Sequence, residues 1–235
     1  MDLAKDKTLY LDEKIMKFNL SLKYEGSLPE HIRVMNPFEK GILIPEIATK
    51  FYRKYYHDHN PRKVILGINP GRLGAGATGI PFTDTVRLNE VCGIPFNKFH
   101  SNEPSAVFMY KMIERYGGAN LFYGDYYINS ISPLGFLMKN QRGNYINCNY
   151  YDHADLLSSS KSFMLKSLHH QMSWGLENRT VIILGKKNAV YIKEINDEHR
   201  IFENIEVLEH PRFIVQYKRR YMDDYIDAYL EKLKK

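Results

Sequence analysis

The stretch Gly67-Ile68-Asn69-Pro70-Gly71-Arg72-Leu73-Gly74-Ala75-Gly76-Ala77-Thr78-Gly79-Ile80-Pro81-Phe82 decides the fold, because a β-branched run ends in it. The run, Lys63 to Ile68, is typical of a buried strand, and no helix continues through the prolines and glycines that follow. Four glycines between positions 71 and 79 let the backbone approach a ligand closely and adopt positive φ. Asn69 ends the strand and Phe82 ends the loop, so an amide and an aromatic ring favour a flat, hydrogen-bonding ligand such as a nucleobase.

Two standard glycine-rich motifs compete for this loop. Residues 74–79 satisfy the dinucleotide pattern G-x-G-x-x-G, but that motif needs its first glycine at the strand end and a helix opening on its third. Here five residues, 69–73, intervene before the first glycine and Pro81 follows almost at once. A Walker A loop needs Gly-Lys-Ser/Thr, and no lysine occurs between positions 64 and 97.

The rest of the chain alternates between strand-like and helix-like segments. Strands are predicted at Lys63 to Ile68, Tyr126 to Ser130, Thr180 to Leu184 and Asn204 to Leu208. Helices are predicted at Ile44 to His57, Pro104 to Tyr116, Ser159 to Trp174, Lys187 to Ile195 and Arg220 to Leu233. This alternation predicts an α/β fold, a four-stranded, mainly parallel sheet with helices on both faces.

In such sheets ligands bind beyond the carboxyl ends of the strands. Those ends carry Asn69-Pro70-Gly71, the segment from Asn129 to Pro133, the basic loop Gly185-Lys186-Lys187, and His210-Pro211-Arg212. Two amides, a basic loop and an imidazole therefore meet at one edge and indicate a site.

The segment resembles the first motif of the single-strand-selective monofunctional uracil-DNA glycosylases, G-M-N-P-G-P-F/W-G-M-x-Q-T-G-V-P-F. The matching positions are Gly67, Asn69, Pro70, Gly71, Gly74, Thr78, Gly79, Pro81 and Phe82. The second motif of that superfamily, a histidine followed by proline after a late strand, is similar to His210-Pro211. The resemblance implies a three-layer uracil-DNA-glycosylase-like fold and a base-excision repair enzyme that flips uracil, or a related damaged base, out of DNA and hydrolyses its glycosidic bond.

The resemblance also implies roles for single residues. His210 would donate an imidazole N–H to the uracil anion as it leaves, and Asn69 would orient the attacking water. Gly71, Phe82 and Asn129 would bind the base, Phe82 by stacking and Asn129 through its amide. The family asparagine stands three residues before Pro-Leu, a place that Ser130 occupies here. Either residue is therefore a candidate for reading the base edge.

The sequence departs from the family at three places. Arg72-Leu73 replaces a Pro-aromatic pair, and Ala75-Gly76-Ala77 replaces Met-x-Gln, so the width of the base pocket is open. The family's H-P-S-P-R wedge is shortened to His210 through Phe213. Two alternatives follow: Arg212 or Phe213 fills the gap left by a flipped base, or duplex substrates are handled poorly. The paired carboxylates of ordinary glycoside hydrolases are absent from positions 63 to 83, although Asp84 is an alternative group for holding water.

The net charge of +6 and the isoelectric point near 9.1 favour a polyanionic partner. Basic clusters follow the predicted strands, one of them at Lys139 and Arg142, and would lie on the rim with the glycine loop. The expected DNA-binding residues are Lys186, Lys187, Arg212, Phe213, Lys218, Arg219 and Arg220.

At 235 residues the chain is long enough for one domain, with residues 1–36 as a possible loosely packed lead-in. The longest apolar run is too short to span a membrane, and the charged start lacks a secretion signal. Two cysteines without C-x-x-C exclude a zinc finger and a four-cysteine iron–sulfur cluster. We therefore expect a cytoplasmic monomer that uses no cofactor or metal. The alternatives are a non-catalytic nucleic-acid-binding domain of the same fold and a dinucleotide-dependent enzyme.

Overall fold

The computed structural model describes residues 8–39 and 41–234 as helices, strands and connecting loops. The helices are α1 (Leu11–Ser21), α2 (Leu43–Tyr56), α3 (Ala75–Thr78), α4 (Thr85–Glu90), α5 (Pro104–Tyr116), α6 (Ala119–Asp125), α7 (Ala154–Met172), α8 (Lys186–His199), α9 (Pro211–Tyr217) and α10 (Met222–Leu233). The strands are β1 (Ile32–Met35), β2 (Lys63–Gly67), β3 (Tyr126–Ser130), β4 (Gly135–Lys139), β5 (Tyr145–Cys148), β6 (Thr180–Leu184) and β7 (Asn204–Leu208). Short 3₁₀ turns lie at Pro37–Glu39 and Arg219–Tyr221.

The central sheet has the order β3-β2-β6-β7, and every pairing in it is parallel. The predicted α/β sheet of four strands is therefore confirmed, with only the end of β2 one residue earlier than expected. The chain leaves β2 for β3 on one side and later crosses to β6 on the other side of β2. Such a change of direction opens a crevice at the carboxyl ends of the two inner strands, β2 and β6. Asn69 follows the first of these strands and Gly185 the second.

Helices cover both faces of this sheet, as predicted. Neighbouring residues of a strand point to opposite faces. In β3, the Tyr126 ring packs against Tyr116 of α5, and its hydroxyl donates to a backbone oxygen of α10. The next residue, Tyr127, donates from its hydroxyl to Gln171 of α7 at 2.8 Å. Two adjacent tyrosines thus bind helices in different layers.

A second sheet, which the sequence analysis did not predict, pairs β1, β4 and β5 in antiparallel order β1-β4-β5. One of its faces enters the core through Ile32, Phe136 and Cys148, all at least 97% buried. On the other face, Met35 packs so closely on the glycine loop that a Cβ on Gly76 would lie 2.5 Å from its Cε atom. The small sheet is therefore a support for the loop.

The N-terminal part of the chain from residue 11 onwards is packed against the core and not loosely attached. Leu11, Ile15 and Met16 of α1 belong to the main hydrophobic core, and α1 packs along α2. The expectation of a loosely packed lead-in over residues 1–36 is wrong for the part from 11 to 35, since β1 also pairs with β4. Residues 1–7 lie outside the described residues.

Several helix boundaries differ from the predictions. The helix expected over Ser159 to Trp174 begins at Ala154, because buried Leu156 extends its apolar stripe towards the N-terminus. The helix expected from Arg220 is divided into a 3₁₀ turn and α10. Helix α9 was not predicted; it begins with Pro211, a residue well suited to a first helical position.

None of the described helices is long and apolar enough to span a lipid bilayer.

A buried hydrogen-bond network joins the inner strands at their carboxyl ends. Asn188 of α8 donates to the carbonyl of Gly67 at 3.1 Å and to the carbonyl of Leu184 at 3.3 Å. It accepts a hydrogen bond from the Tyr150 hydroxyl at 2.8 Å. Asn188 and Tyr150 are fully buried. The network therefore holds β2, β6 and the segment after β5 in one arrangement.

We expect Asn188→Ala to lower the free energy of unfolding by about 2 to 3 kcal/mol, because it leaves buried polar partners unpaired. Urea denaturation followed by circular dichroism measures the loss. Lys193→Ala, at an exposed position of the same helix, is the control and should change stability by less than about 0.5 kcal/mol. Equal stability of both variants would contradict the role of the network.

Candidate active site

A cavity of about 340 Å³ opens at the carboxyl edge of the parallel sheet. The structure brings six of the predicted site residues to its wall: Asn69, Gly71, Phe82, His210, Arg212 and Phe213. Residues that the sequence analysis did not assign also line it, among them Glu103, Asn147 and Asn149.

Asn69 is held by the backbone at the end of β5 and just after it. Its Nδ2 atom donates to the carbonyl of Cys148 at 3.2 Å and to the carbonyl of Pro70 at 3.4 Å. Its Oδ1 atom accepts from the amide of Tyr150 at 3.1 Å. If the amide were rotated by 180°, its NH₂ group would face the Tyr150 N–H and its oxygen would face the two carbonyl oxygens. These partners therefore fix its orientation. One lone pair of Oδ1 is left to accept a hydrogen bond from a further donor.

His210 is fixed as a neutral donor. Its Nδ1 atom accepts from the backbone amide of Arg212 at 3.2 Å, at the start of α9. The ring proton therefore resides on Nε2. Burial, with a smaller contribution from the positive charge of Arg212, lowers the pKa of His210 to about 4. The side chain is thus an uncharged imidazole with one free N–H at neutral pH.

Phe82 has an unusual backbone conformation for a bulky residue, with φ of 54°. A Cβ atom on Gly67 would lie 2.8 Å from the Phe82 ring, so only glycine allows the ring to rest on the strand end. The ring centroid lies 6.1 Å from that of His210 with the planes inclined by 45°. Strain retained at a cavity wall is typical of a functional position.

The structure places Asn129 outside the cavity. Its amide points to the opposite face of β3, where Nδ2 donates to Tyr127 Oη and to Gln171 Oε1, both at 2.7 Å. This position does not fit the base-binding role that the sequence analysis gave to Asn129. Ser130, the other candidate, lines the cavity because it is the next residue of the strand and points to the other face.

Asn147 was not predicted as a site residue, because no clear pattern in the sequence indicated strand β5. Its Oδ1 atom accepts from the amide of Arg72 at 3.0 Å. Its Nδ2 atom lies 3.4 Å from the point where a Cβ of Gly71 would stand. An amide donor from the small sheet thus faces the cavity beside the glycine loop.

Glu103 supplies the one carboxylate at the cavity wall among the described residues. Its Oε2 atom lies 3.7 Å from the Cβ position of Gly71, and its Oε1 atom accepts from the Ser105 hydroxyl at 3.3 Å. Burial raises the pKa of this carboxyl, although the charge of Arg212 opposes the shift. No pattern in the sequence indicated Glu103, which immediately precedes the proline that begins α5.

Asp84, the alternative water-binding group, is fully buried and already paired. It caps α4 by accepting from the Arg87 amide and forms an ion pair with the Arg87 guanidinium at 2.9 Å. It also accepts from the amide of Glu103 at 2.7 Å. Asp84 therefore organises the cavity wall and does not reach the cavity.

The predicted DNA-binding residues lie in three groups, of which one lines the cavity. Lys186 forms an ion pair with Glu209, and the Lys187 ammonium lies 4.6 Å from the centre of the Tyr151 ring, both at the start of α8. Arg212 and Phe213 lie at the cavity mouth in the first turn of α9. The remaining ones, Lys218, Arg219 and Arg220, follow the end of α9 and do not line the cavity.

The family can now be stated from comparison with known proteins. A model of the uracil DNA glycosylase superfamily matches residues 53–234, so this chain belongs to that superfamily, whose members act on DNA. The crystal structure of wild-type SMUG2 from Pedobacter heparinus matches it with a TM-score of 0.94 and 43% sequence identity, over 97% of this chain and 98% of that chain. The resemblance to the SMUG-like glycosylases is therefore confirmed, and with it a uracil DNA glycosylase function in base-excision repair. A search of curated proteins found no match.

Phe82 can be tested with two truncations. Phe82→Ala and Phe82→Gly should both weaken base binding by about 1 to 3 kcal/mol, because a stacking ring is lost. Phe82→Gly should be more stable than Phe82→Ala by about 1 kcal/mol, since glycine tolerates positive φ without strain. Thermal unfolding and single-turnover excision at low temperature separate the two effects. Near-normal excision by the alanine variant would mean that Phe82 only packs the core.

Proposed function

We propose that this protein is a monofunctional glycosylase that removes uracil, or a related damaged base, from DNA by base flipping and water attack. The observation that carries the proposal is the pairing at one cavity of a neutral imidazole donor, His210, with an oriented amide acceptor, Asn69. Neither group needs a metal or an organic cofactor for this chemistry.

His210 would stabilise the leaving base. Uracil departs as an anion with charge on O2, and a donor aimed at that oxygen lowers the barrier to bond cleavage. The Nδ1 atom is occupied by the Arg212 amide, so Nε2–H is the donor available to the base. A neutral donor needs no proton exchange during the reaction.

Asn69 would hold the attacking water through Oδ1. That oxygen already accepts from the Tyr150 amide and retains one lone pair. A water bound there approaches the sugar as its anomeric carbon gains positive charge. The buried carboxyl of Glu103 lies near Gly71, and any negative charge it carries there would favour the developing cation.

Base binding would combine stacking with edge recognition. Phe82 offers a ring face, which accepts any planar base, so hydrogen bonds must discriminate. Ser130 and the free Nδ2 of Asn147 are the polar groups that we assign to the base edge, with Gly71 leaving space beside Asn147. This assignment replaces the predicted use of Asn129.

A monofunctional reaction is favoured by what the cavity wall lacks. A glycosylase that also cuts the DNA strand needs an amine nucleophile to form a Schiff base with the sugar. None of the described residues that line the cavity is a lysine. Water is therefore the nucleophile in our proposal.

We further infer a single domain that acts as a cytoplasmic monomer on uracil-containing DNA. Both cysteines are free and buried, which suits a reducing compartment. The predicted cations at the start of α8 would contact phosphates beside the flipped nucleotide. At the start of α9, Arg212 or Phe213 would fill the vacated stack.

A uracil-containing oligonucleotide, treated with alkali after incubation and separated on a gel, tests the proposal. A glycosylase yields a cleaved strand, whereas a non-catalytic binding domain yields only a shifted complex in a native gel. A dinucleotide-dependent enzyme yields neither result. The same assay with hydroxymethyluracil, hypoxanthine and xanthine defines the preferred base.

The two catalytic assignments predict similar losses. His210→Ala and Asn69→Ala should each lower the single-turnover rate by about 100- to 1000-fold, as the loss of one preorganised donor does elsewhere. Both should still bind uracil-containing DNA, because phosphate contacts supply most of the affinity. Lys193→Ala serves as the unaffected control. A rate within about threefold of wild type for either variant would exclude its role.

The pH dependence follows from the pKa of His210. With this pKa lowered to about 4, the ring is neutral at pH 6 to 8, so the single-turnover rate should be flat there and should fall as the pH drops towards 4. Protonation at Nδ1 would break the bond from the Arg212 amide. Glu103→Gln removes the other titrating group at the cavity, so a fall that persists in this variant belongs to His210. A midpoint near 6.5 would contradict the assignment.

A further inference from the structure

One face of the small antiparallel sheet is partly exposed, and apart from Asn147 the proposed chemistry does not use its side chains. Its register sets Arg33 beside Leu137 and Leu137 beside Asn147, and sets Lys139 beside Tyr145. Paired residues, and residues two apart on one strand, share a face. These five side chains therefore form one surface, here called the β-face.

The β-face is basic and aromatic. The Arg33 guanidinium lies 4.8 Å from the centre of the Tyr145 ring, and the Lys139 ammonium lies 5.9 Å from it. Arg33 and Lys139 are exposed, and neither forms an ion pair within the described residues. The three strands and the turn over 140–144 contain no aspartate or glutamate, and this turn adds Arg142.

The β-face runs directly into the cavity. Asn147 belongs to both, since it lines the cavity wall and accepts from the amide of Arg72. Tyr145 stands two residues before it on β5, which places the ring about 7 Å further along the strand. A chain of nucleotides leaving the cavity beside Gly71 would meet Tyr145 next.

We propose that the β-face binds the DNA strand adjacent to the flipped nucleotide, with the neighbouring base stacked on Tyr145 and phosphates held by Arg33 and Lys139. Cations that flank an aromatic platform are the usual components of a single-strand binding surface. Charge complementarity identifies the occupant as nucleic acid. The inference rests on the proposed function, which places the flipped base in the cavity.

The first experiment measures binding without catalysis. Fluorescence anisotropy gives the affinity of the whole 235-residue chain for a uracil-free single-stranded oligonucleotide at several salt concentrations. Arg33→Ala combined with Lys139→Ala should flatten the plot of log affinity against log salt by about 1.4 units, since each lost contact contributes roughly 0.7. Lys50→Ala with Arg53→Ala removes the same two charge types from exposed positions of α2 and should leave the slope unchanged.

The second experiment tests the position of the surface. Oligonucleotides carrying one uracil are shortened from the 5′ or from the 3′ side, and kcat/KM for excision is measured. For the wild type, kcat/KM should fall when the oligonucleotide is shortened on one side of the uracil, 5′ or 3′, and should not change when it is shortened on the other side. For Tyr145→Ala, kcat/KM on the long substrate should be at least about fivefold lower than for the wild type and should not fall further when the substrate is shortened. Tyr145→Phe should behave as wild type.

The outcomes separate this inference from the proposed function. A double variant with the wild-type salt slope, or a Tyr145→Ala variant with the wild-type dependence on length, would overturn the role of the β-face. Failure of the wild type to excise any base would refute the proposed function. The anisotropy measurement would still decide whether the β-face binds DNA.

Discussion

The hydrogen bonds of Asn69 are the interaction on which the rest of the site depends. The side chain stands just after β2 of the parallel sheet, but its partners, the backbone of Cys148 and Tyr150, lie at the end of β5 of the antiparallel sheet and just after it. Three fixed partners hold a flexible side chain in one orientation, which is the preorganisation that catalysis requires. The Tyr150 hydroxyl then continues the connection to Asn188 and back to Gly67. Two sheets, one helix and the candidate water-binding group are thus parts of one polar network.

The electrostatics of the cavity favour neutral dipoles over charges. Burial and the nearby guanidinium of Arg212 both disfavour an imidazolium at His210, while burial disfavours a carboxylate at Glu103. The net positive charge lies outside, on cations that are largely exposed. This division suits an enzyme that attracts a polyanion by its surface and stabilises a small developing charge inside a low-dielectric cavity.

The glycines of the glycine-rich loop are required for different physical reasons at different positions. Its glycines were interpreted as allowing positive φ and close approach of a ligand, yet among the four between positions 71 and 79 only Gly79 has positive φ. Position 76 requires glycine because Met35 packs directly on it. Position 74 favours glycine because a Cβ there would lie 3.2 Å from the Glu103 side chain. Most of these glycines therefore leave room for side chains of the protein itself. Those side chains come from the small sheet and from the start of α5, and they shape the cavity.

The sequence alone determined the four parallel strands, their alternation with helices, and the two motifs that bring Asn69, Phe82 and His210 to one edge. Each of these rests on local pattern or on the rule that parallel strands share a carboxyl edge. The tertiary structure decided the rest. The face on which Asn129 and Ser130 lie depends on a pairing register, and a shift of one residue reverses it. The roles of Asn147, Glu103 and Tyr145 depend on contacts across long stretches of chain. Asn147 and Tyr145 lie in a sheet whose strands are only four or five residues long and carry no strong periodic signal. Such contacts are created by folding, so no pattern in the linear sequence reports them.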